Sequence, residues 1–275
     1  MGVKNLIINR PAFYLSEPGY FNYVILISKL LSIFGSTYPL SSTKQISESF
    51  PNQNIWTITG ADQQIKIQSQ YRISRFLKGF KNAGRRQWDR YGLDVLIGAQ
   101  LPDVLIDVGA NIGEVSKYAK NLGIPRVLAI DPDPIAGECL KFNLRDSNIE
   151  IDTRALGEVS GKVTFYSQAR SADSSLFKPL GEYIEVEVES VTLDEVVKEY
   201  NLAGKILFKM DAEGFEPEIL RSGGEALKQI TWASIDAGAE RGNQTTVDEV
   251  VKILGKAGFD SIQISPSNIV TAWRR

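Results

Sequence analysis

The chain has 275 residues, 43% apolar and 23% charged, with 31 Lys and Arg against 33 Asp and Glu. That length allows one large or two modest domains, and a formal net charge of −2 gives no global reason to expect nucleic acid. The single cysteine, Cys139, excludes an intramolecular disulfide framework and fits a reducing, cytoplasmic setting; the lack of any histidine excludes His-dependent triads and His-ligated metals.

The N-terminal region has no cleavable-signal or lipidation pattern. Its longest apolar stretch, Tyr20–Phe34, is about fifteen residues and contains Lys29, short of the ~20 a spanning helix needs. Leu26, Leu30, Ile33 and Phe34 suit one face of a helix packed on protein, with peripheral attachment to a membrane as the other use of such a face. Residues 41–54 are polar, include Pro51, and read as a connector. Ile55–Gly60 and Gln64–Gln68 alternate in polarity about Gly60-Ala61-Asp62, the pattern of a β-hairpin. Tyr71–Tyr91 then carries Arg72, Arg75, Lys78, Lys81, Arg85, Arg86 and Arg90 against one acid, Asp89. Two readings compete for it: a solvated helix and loop, or a docking face for an anionic acceptor such as a nucleotide-sugar, a phosphorylated lipid or RNA.

From Leu101 onward strands and helices alternate, which argues a parallel sheet covered on both faces. Val104–Gly113 reads V-L-I-D-V-G-A-N-I-G: a buried strand, then a glycine turn opening an amphipathic helix over Ile112–Leu122. The pattern is neither a dinucleotide fingerprint nor a phosphate loop, because an acid precedes the first glycine and no Gly-Lys pair follows. An acid there suits a cationic or amine-bearing ligand rather than phosphate. Asn111, where a dinucleotide site expects glycine, also disfavours an NAD oxidoreductase. The next strand, Arg126–Asp131, delivers Asp131 18 residues beyond Gly113, where nucleotide-binding α/β units place an acid against ribose hydroxyls. Capping of a helix is the competing role for Asp131. Ile149–Leu156 reads as a third strand, and Lys162–Tyr166 and Tyr183–Val191 as more exposed ones. Between those two lies the polar loop Ser171–Ser175, and Thr192–Tyr200 is a helix with a capping box. Cys139 falls in a helical pattern and is expected to serve packing.

Lys205–Glu218 reads K-I-L-F-K-M-D-A-E-G-F-E-P-E. A strand over Ile206–Met210 would present Asp211, Glu213 and Glu216 at its carboxyl end, where ligands of open α/β sheets bind. Such acids either open a helix or serve a cation or a hydroxyl.

D-V-G-A-N-I-G, the strand-end I-D-P, T-L-D before a helix, and F-K-M-D-A-E-G-F-E-P-E-I-L-R-S-G together resemble the FkbM-type S-adenosylmethionine-dependent methyltransferases over about Leu101–Gly224. The resemblance implies an α/β class I methyltransferase (Rossmann-like) sheet of seven strands with the last antiparallel, its final three strands at Ile230–Asp236, Ser261–Ser265 and Asn268–Trp273. Residues 1–70 would be an N-terminal extension of helix plus β-hairpin, 71–100 a basic helical connector, and 101–275 the cofactor-binding domain. By position, Asp107, Gly109, Ala110, Asn111 and Gly113 would frame the methionine end of the cofactor. Asp131, with Pro132 beside it, would hold the ribose, and Ala155 and Leu156 would border the adenine.

The implied reaction is O-methylation of a sugar, glycan or other small-molecule acceptor. Many relatives place a glutamate near the strand end at 235–241, where this chain offers Asp236 and Glu240, so the resemblance does not fix the acceptor. An alcohol must lose its proton as it attacks, and without histidine the candidate bases are Asp211 or Glu213, then Lys209. Asp211 and Asp236, at the ends of adjacent strands, could instead hold a divalent cation. An RNA methyltransferase using the 72–90 stretch and a non-catalytic scaffold are the competing functions; the acidic balance elsewhere argues against the first.

Overall fold

The computed structural model describes residues 17–33, 40–48, 53–60, 63–168, 173–179 and 182–274. Phe34, Pro51, Ala61, Asp62, Ser171 and Ala172, which enter the expectations above, lie outside these residues.

Helix α1 (Glu17–Ser32) precedes three antiparallel strands, β1 (Ser41–Ile46), β2 (Asn54–Thr59) and β3 (Gln64–Ile67). The β2–β3 pair is the expected hairpin, but residues 41–46 are a strand and not part of a connector. β1 pairs with β2 along its whole length while its side chains stay largely in solvent, so main-chain hydrogen bonding recruits it with no apolar alternation to announce it. The apolar face of α1 is also reversed. Tyr20, Phe21, Val24 and Ser28 are buried, whereas Leu26, Leu30 and Ile33 are 57%, 49% and 75% exposed. Tyr20 and Phe21 pack at a tilt against Tyr71 and Trp56, and the Ser28 hydroxyl accepts the Leu40 N–H at 3.0 Å. Two aromatic rings bury more surface than the leucines they displace.

A 3₁₀ helix (Gln70–Phe76), α2 (Phe80–Arg90) and α3 (Leu93–Ile97) lead into the main unit. There β4 (Val104–Val108), α4 (Glu114–Asn121), β5 (Arg126–Ile130), α5 (Pro134–Leu144) and β6 (Glu150–Asp152) alternate. Next come β7 (Ala155–Leu156), β8 (Gly161–Ser167), β9 (Ile184–Val191) and α6 (Leu193–Glu199). The remaining elements are β10 (Ile206–Met210), α7 (Glu216–Arg221), α8 (Ala226–Gln229), β11 (Ile230–Asp236), α9 (Val247–Lys256), β12 (Ser261–Ile264) and β13 (Ile269–Trp273). Asp133 caps α5, accepting the Ile135 and Ala136 N–H groups, with Pro134 at its first position.

The main sheet has seven strands in the order β12-β13-β11-β10-β4-β5-β6, with β13 antiparallel to both neighbours. This is the α/β, Rossmann-like arrangement of a class I methyltransferase. β4 and β10 lie at its centre with every side chain buried, as a sheet covered on both faces requires. The expected third strand divides. The Asp152 carboxylate accepts the Arg154 N–H and its guanidinium, turning the chain out of the main sheet, and β7 pairs instead with β9 in a small sheet with β8.

One apolar cluster runs from α1 through the N-terminal strands to Ile112, Ile135 and the fully buried Cys139. Burial pushes the Cys139 thiol up, so it stays protonated and serves packing. The Asn143 amide of α5 joins the two parts: its oxygen accepts the Lys66 N–H at 2.7 Å, and its nitrogen donates to the Lys66 and Ile112 carbonyls at 3.0 and 2.9 Å.

Candidate functional site

From β4 the chain runs to β5 on one side, while β10 pairs on the other. This is the switch point where open α/β sheets bind ligands. A cavity of about 700 Å³ opens there. Its walls include Gly109, Ala110, Asn111, Asp131, Pro132, Ala155, Leu156, Lys209, Asp211, Glu213 and Asp236, so eleven of the thirteen residues singled out from the sequence converge. Asp107 and Gly113 are the exceptions.

Asp107 is fully buried and does not line the cavity. One carboxylate oxygen accepts the Ser116 hydroxyl at 2.6 Å, and the other lies 3.1 Å from Lys209 Nζ. The Lys209 ammonium also donates to the Val108 and Gly109 carbonyls at 3.0 and 2.9 Å. Two hydrogen bonds and an ion pair hold the ammonium, an arrangement that favours a clamp on the glycine turn over a base. Gly109 lies against the turn that follows β10: a Cβ there would sit 1.9 Å from the Asp211 carbonyl oxygen, and its φ is +67°. Gly113 packs on Leu140 and Leu144 of α5 and serves the helix, not the cavity.

Asp131 lines the cavity and is 6% exposed. One oxygen accepts the Asn111 N–H at 2.7 Å and the other the Asp133 N–H at 3.0 Å. Helix capping falls to Asp133, and Asp131 keeps lone pairs for a ligand. Burial, then the adjacent Asp133, raises its pKa to about 7. Asp133 also accepts the Ser167 and Ser174 hydroxyls at 2.8 and 2.5 Å, tying the edge of the 173–179 segment to the site. Ile130, Ala155, Leu156 and Phe165 supply an apolar wall.

Beyond β10 and β11 the cavity turns acidic, with Asp211, Glu213, Asp236 and Glu240 lining it. Glu213 adopts φ +49°, a left-handed backbone uncommon outside glycine. Burial first, then Asp211, raises the pKa of Glu213 well above the carboxylate range. Burial and Asp211 raise Asp236 to about 6, and burial with Glu216 raises Glu240 to about 8. Glu216 holds the turn itself, accepting the Ala212 and Gly214 N–H groups at 3.2 and 2.9 Å and the Thr246 hydroxyl at 3.0 Å.

Tyr91 escaped the sequence reading. Its hydroxyl donates to Asp211 Oδ2 at 2.5 Å, its ring lies under Lys209 Nζ at 4.9 Å, and its carbonyl accepts the Ser234 hydroxyl at 2.8 Å. Burial, then the Asp211 charge, raises the Tyr91 pKa, so the phenol keeps its proton and acts as a donor. Arg90 donates to Asp236 at 2.5 Å. The two acids considered for a divalent cation thus have a phenol and a guanidinium against them. Among the described residues no group of three or more acidic or cysteine side chains is placed to hold a metal ion, and a divalent cation is not supported. Part of the basic stretch reaches the site: Arg72, Arg75, Arg86 and Arg90 line the cavity, while Lys78, Lys81 and Arg85 stay on the exposed surface. No described helix is long and apolar enough to cross a membrane.

The chain is similar in fold to several solved structures, methyltransferases among them. Precorrin-6y C5,15-methyltransferase from Geobacter metallireducens is 14% identical, with 68% of this chain and 89% of that one covered at a TM-score of 0.40. Magnesium protoporphyrin IX methyltransferase from Synechocystis, solved with S-adenosylmethionine, is 16% identical over 70% and 81% at 0.41. The Methanococcus jannaschii fibrillarin pre-rRNA processing protein is 14% identical over 85% and 99% at 0.42. No curated protein matches the sequence significantly. The sequence profile described as the Methyltransferase FkbM domain matches residues 107–261, from the acid of the glycine turn to the start of β12. Over more than half its length, then, the chain carries that domain, and it belongs to the FkbM methyltransferase family.

Proposed function

We propose that this protein transfers a methyl group from S-adenosylmethionine to a hydroxyl of a sugar, glycan or other small-molecule acceptor. The observation that carries this reading is the polarity of one cavity, with an apolar wall and Asp131 at one end and clustered acids at the other. The cavity fits the cofactor on its own terms. Each Asp131 oxygen accepts a single backbone N–H, and a carboxylate has about four lone-pair sites, so two ribose hydroxyls can be served. Ala155, Leu156 and Phe165 offer the adenine a flat apolar surface. The acids favour a fixed positive charge. Bound there, the cofactor supplies an electrophilic methyl group on sulfur.

The chain's own residues would do the rest. Gly109 leaves the backbone turn open, and the Lys209–Asp107 clamp keeps it rigid, so positioning contributes several kcal/mol to the rate. Asp211 is the base that takes the acceptor's proton, held in place by the Tyr91 hydroxyl. Glu213 holds its own proton near neutral pH and serves as a hydrogen-bond donor to the acceptor oxygen. Lys209 has no free proton-accepting site. Four of the seven basic residues that supported an RNA substrate lie on the cavity wall, and Arg90 is engaged with Asp236; this weighs against a broad nucleic-acid surface.

The test is incubation with methyl-labelled S-adenosylmethionine and separate pools of glycans, hydroxylated small molecules, lipids and RNA. Label recovered as a methyl ether in one of the first two pools supports the reading; label confined to RNA overturns it.

A further inference from the structure

The 3₁₀ helix Gln70–Phe76 lies before the span matched by the family profile, yet it forms one wall of the cavity. It is latched to the glycine turn through Asn111, whose side-chain oxygen accepts Arg72 Nη1 and Gln68 Nε2, both at 3.1 Å. Asn111 holds φ +51°, so the latch fixes a backbone conformation that a free chain would rarely keep. Side chains three residues apart eclipse on a 3₁₀ helix, and Arg75 therefore follows Arg72 along the same wall. Across from it, Glu114 opens α4, three residues beyond Asn111. Its carboxylate lines the cavity although the residue is 5% exposed, and Oε1 is buried without a hydrogen-bond partner. A buried carboxylate oxygen left bare costs free energy unless a ligand satisfies it.

The surroundings of Arg75 complete the picture. Burial, then the positive charges of Arg72 and Arg90, depress its pKa, with Glu114 acting the other way. The 3₁₀ helix therefore offers a guanidinium in a positive field, and the start of α4, close enough for its charge to act on Arg75, offers a carboxylate oxygen with no hydrogen-bond partner. A ligand carrying a carboxylate and an ammonium a few ångströms apart answers both. Arg is the side chain best suited to grip a carboxylate through two parallel hydrogen bonds.

Resting on the proposed use of S-adenosylmethionine, we propose that Arg75 and Glu114 receive the amino-acid end of that cofactor, Arg75 its carboxylate and Glu114 its ammonium. The 3₁₀ helix is then part of the cofactor site, and the family's glycine turn supplies only half of that end. Asp107, which the sequence suggested for the amine, is replaced in that role by an acid seven positions later.

Calorimetry with three nucleosides tests this on the intact chain: S-adenosylmethionine, its decarboxylated form, and 5′-methylthioadenosine, which lacks the amino-acid end altogether. The wild-type protein should bind the decarboxylated form at least about tenfold more weakly than S-adenosylmethionine, the loss expected for a charged hydrogen bond. Arg75→Met should lose a similar factor for S-adenosylmethionine and close the gap between the two. Glu114→Gln should weaken S-adenosylmethionine while leaving 5′-methylthioadenosine unchanged. Wild-type affinity that is equal for all three compounds overturns the assignment but leaves the methyl-donor reading intact. Equal wild-type and Arg75→Met affinities for S-adenosylmethionine overturn it too. Binding of none of the three removes the donor reading itself. The wild-type comparison needs no variant, so it stands even where Arg75→Met fails to fold.

Discussion

Asp107 and Asp211 occupy neighbouring parallel strands, one inside β4 and the other just past β10, yet the protein treats their charges in opposite ways. Asp107 is closed off, with Ser116 and Lys209 meeting its two oxygens, and it does not line the cavity. Asp211 meets Tyr91 and faces a cavity shared with Glu213, Asp236 and Glu240. The first is neutralised within the fold and gives rigidity. The second sits among three other acids, Glu213, Asp236 and Glu240, whose pKa values burial and their like-charged neighbours raise. An acid in a motif is therefore not yet an acid in a site; the partner it already has decides which it is.

The comparison breaks most severely at Lys209. Lys209→Met strands the Asp107 charge in the core, and we expect a loss of about 3–5 kcal/mol in denaturant unfolding, the cost of removing one member of a buried pair. At the other acid, Asp211→Asn should leave stability nearly intact while lowering turnover by roughly 10²–10⁴. Glu213→Gln, which preserves a donor, should cost far less; equal losses in the two variants would refute the division of labour. Asp131→Ala should weaken S-adenosylmethionine about ten- to a hundredfold in calorimetry, because it removes hydrogen bonds from a charged acceptor.

The pH dependence sharpens the contrast. Asp131 and Glu216 have pKa values raised to about 7 and Glu240 to about 8, above the unfolded range near about 4. Between those limits the native chain binds more protons than the unfolded one, so stability falls as pH rises from roughly 5 to 8. Urea midpoints that rise across this window would contradict the assignment. Glu216→Gln should flatten the lower half of the slope. The smallest expected effect is that of a chelator: with Tyr91 and Arg90 already against Asp211 and Asp236, excess chelator should leave turnover unchanged.

The sequence made the sheet legible because its signals are local. The largely apolar β4 and β10, the glycines after β4, and the acids at the ends of β5 and β10 each speak through adjacent residues. The direction of the Asp107 side chain was not legible, since a strand buried on both faces has no polar alternation to tell one face from the other. Tyr91 and Arg90 reach their acids across more than a hundred residues of chain, and no short pattern encodes such a meeting. The inward turn of the arginines depends on α2 packing against α4, where a Cβ at Gly84 would lie 2.4 Å from the Glu114 carbonyl oxygen. The face of α1 was misjudged because leucine spacing suggested one side while the aromatic rings occupied the other.

Asn143 has a practical consequence for anyone trimming the chain. Its amide stands at the edge of β3 like a rung borrowed from another strand, and the same nitrogen steadies Ile112 inside the glycine turn. A fragment cut at residue 101, which keeps every residue of the matched family span, would leave that amide to water on one side, losing about 0.5–1.5 kcal/mol for each hydrogen bond to Lys66 removed. It would also expose the apolar flanks of Ile135 and Cys139. Hydrogen exchange at the turn should therefore quicken in such a fragment: the segment with no recognisable motif is what keeps the recognisable one still.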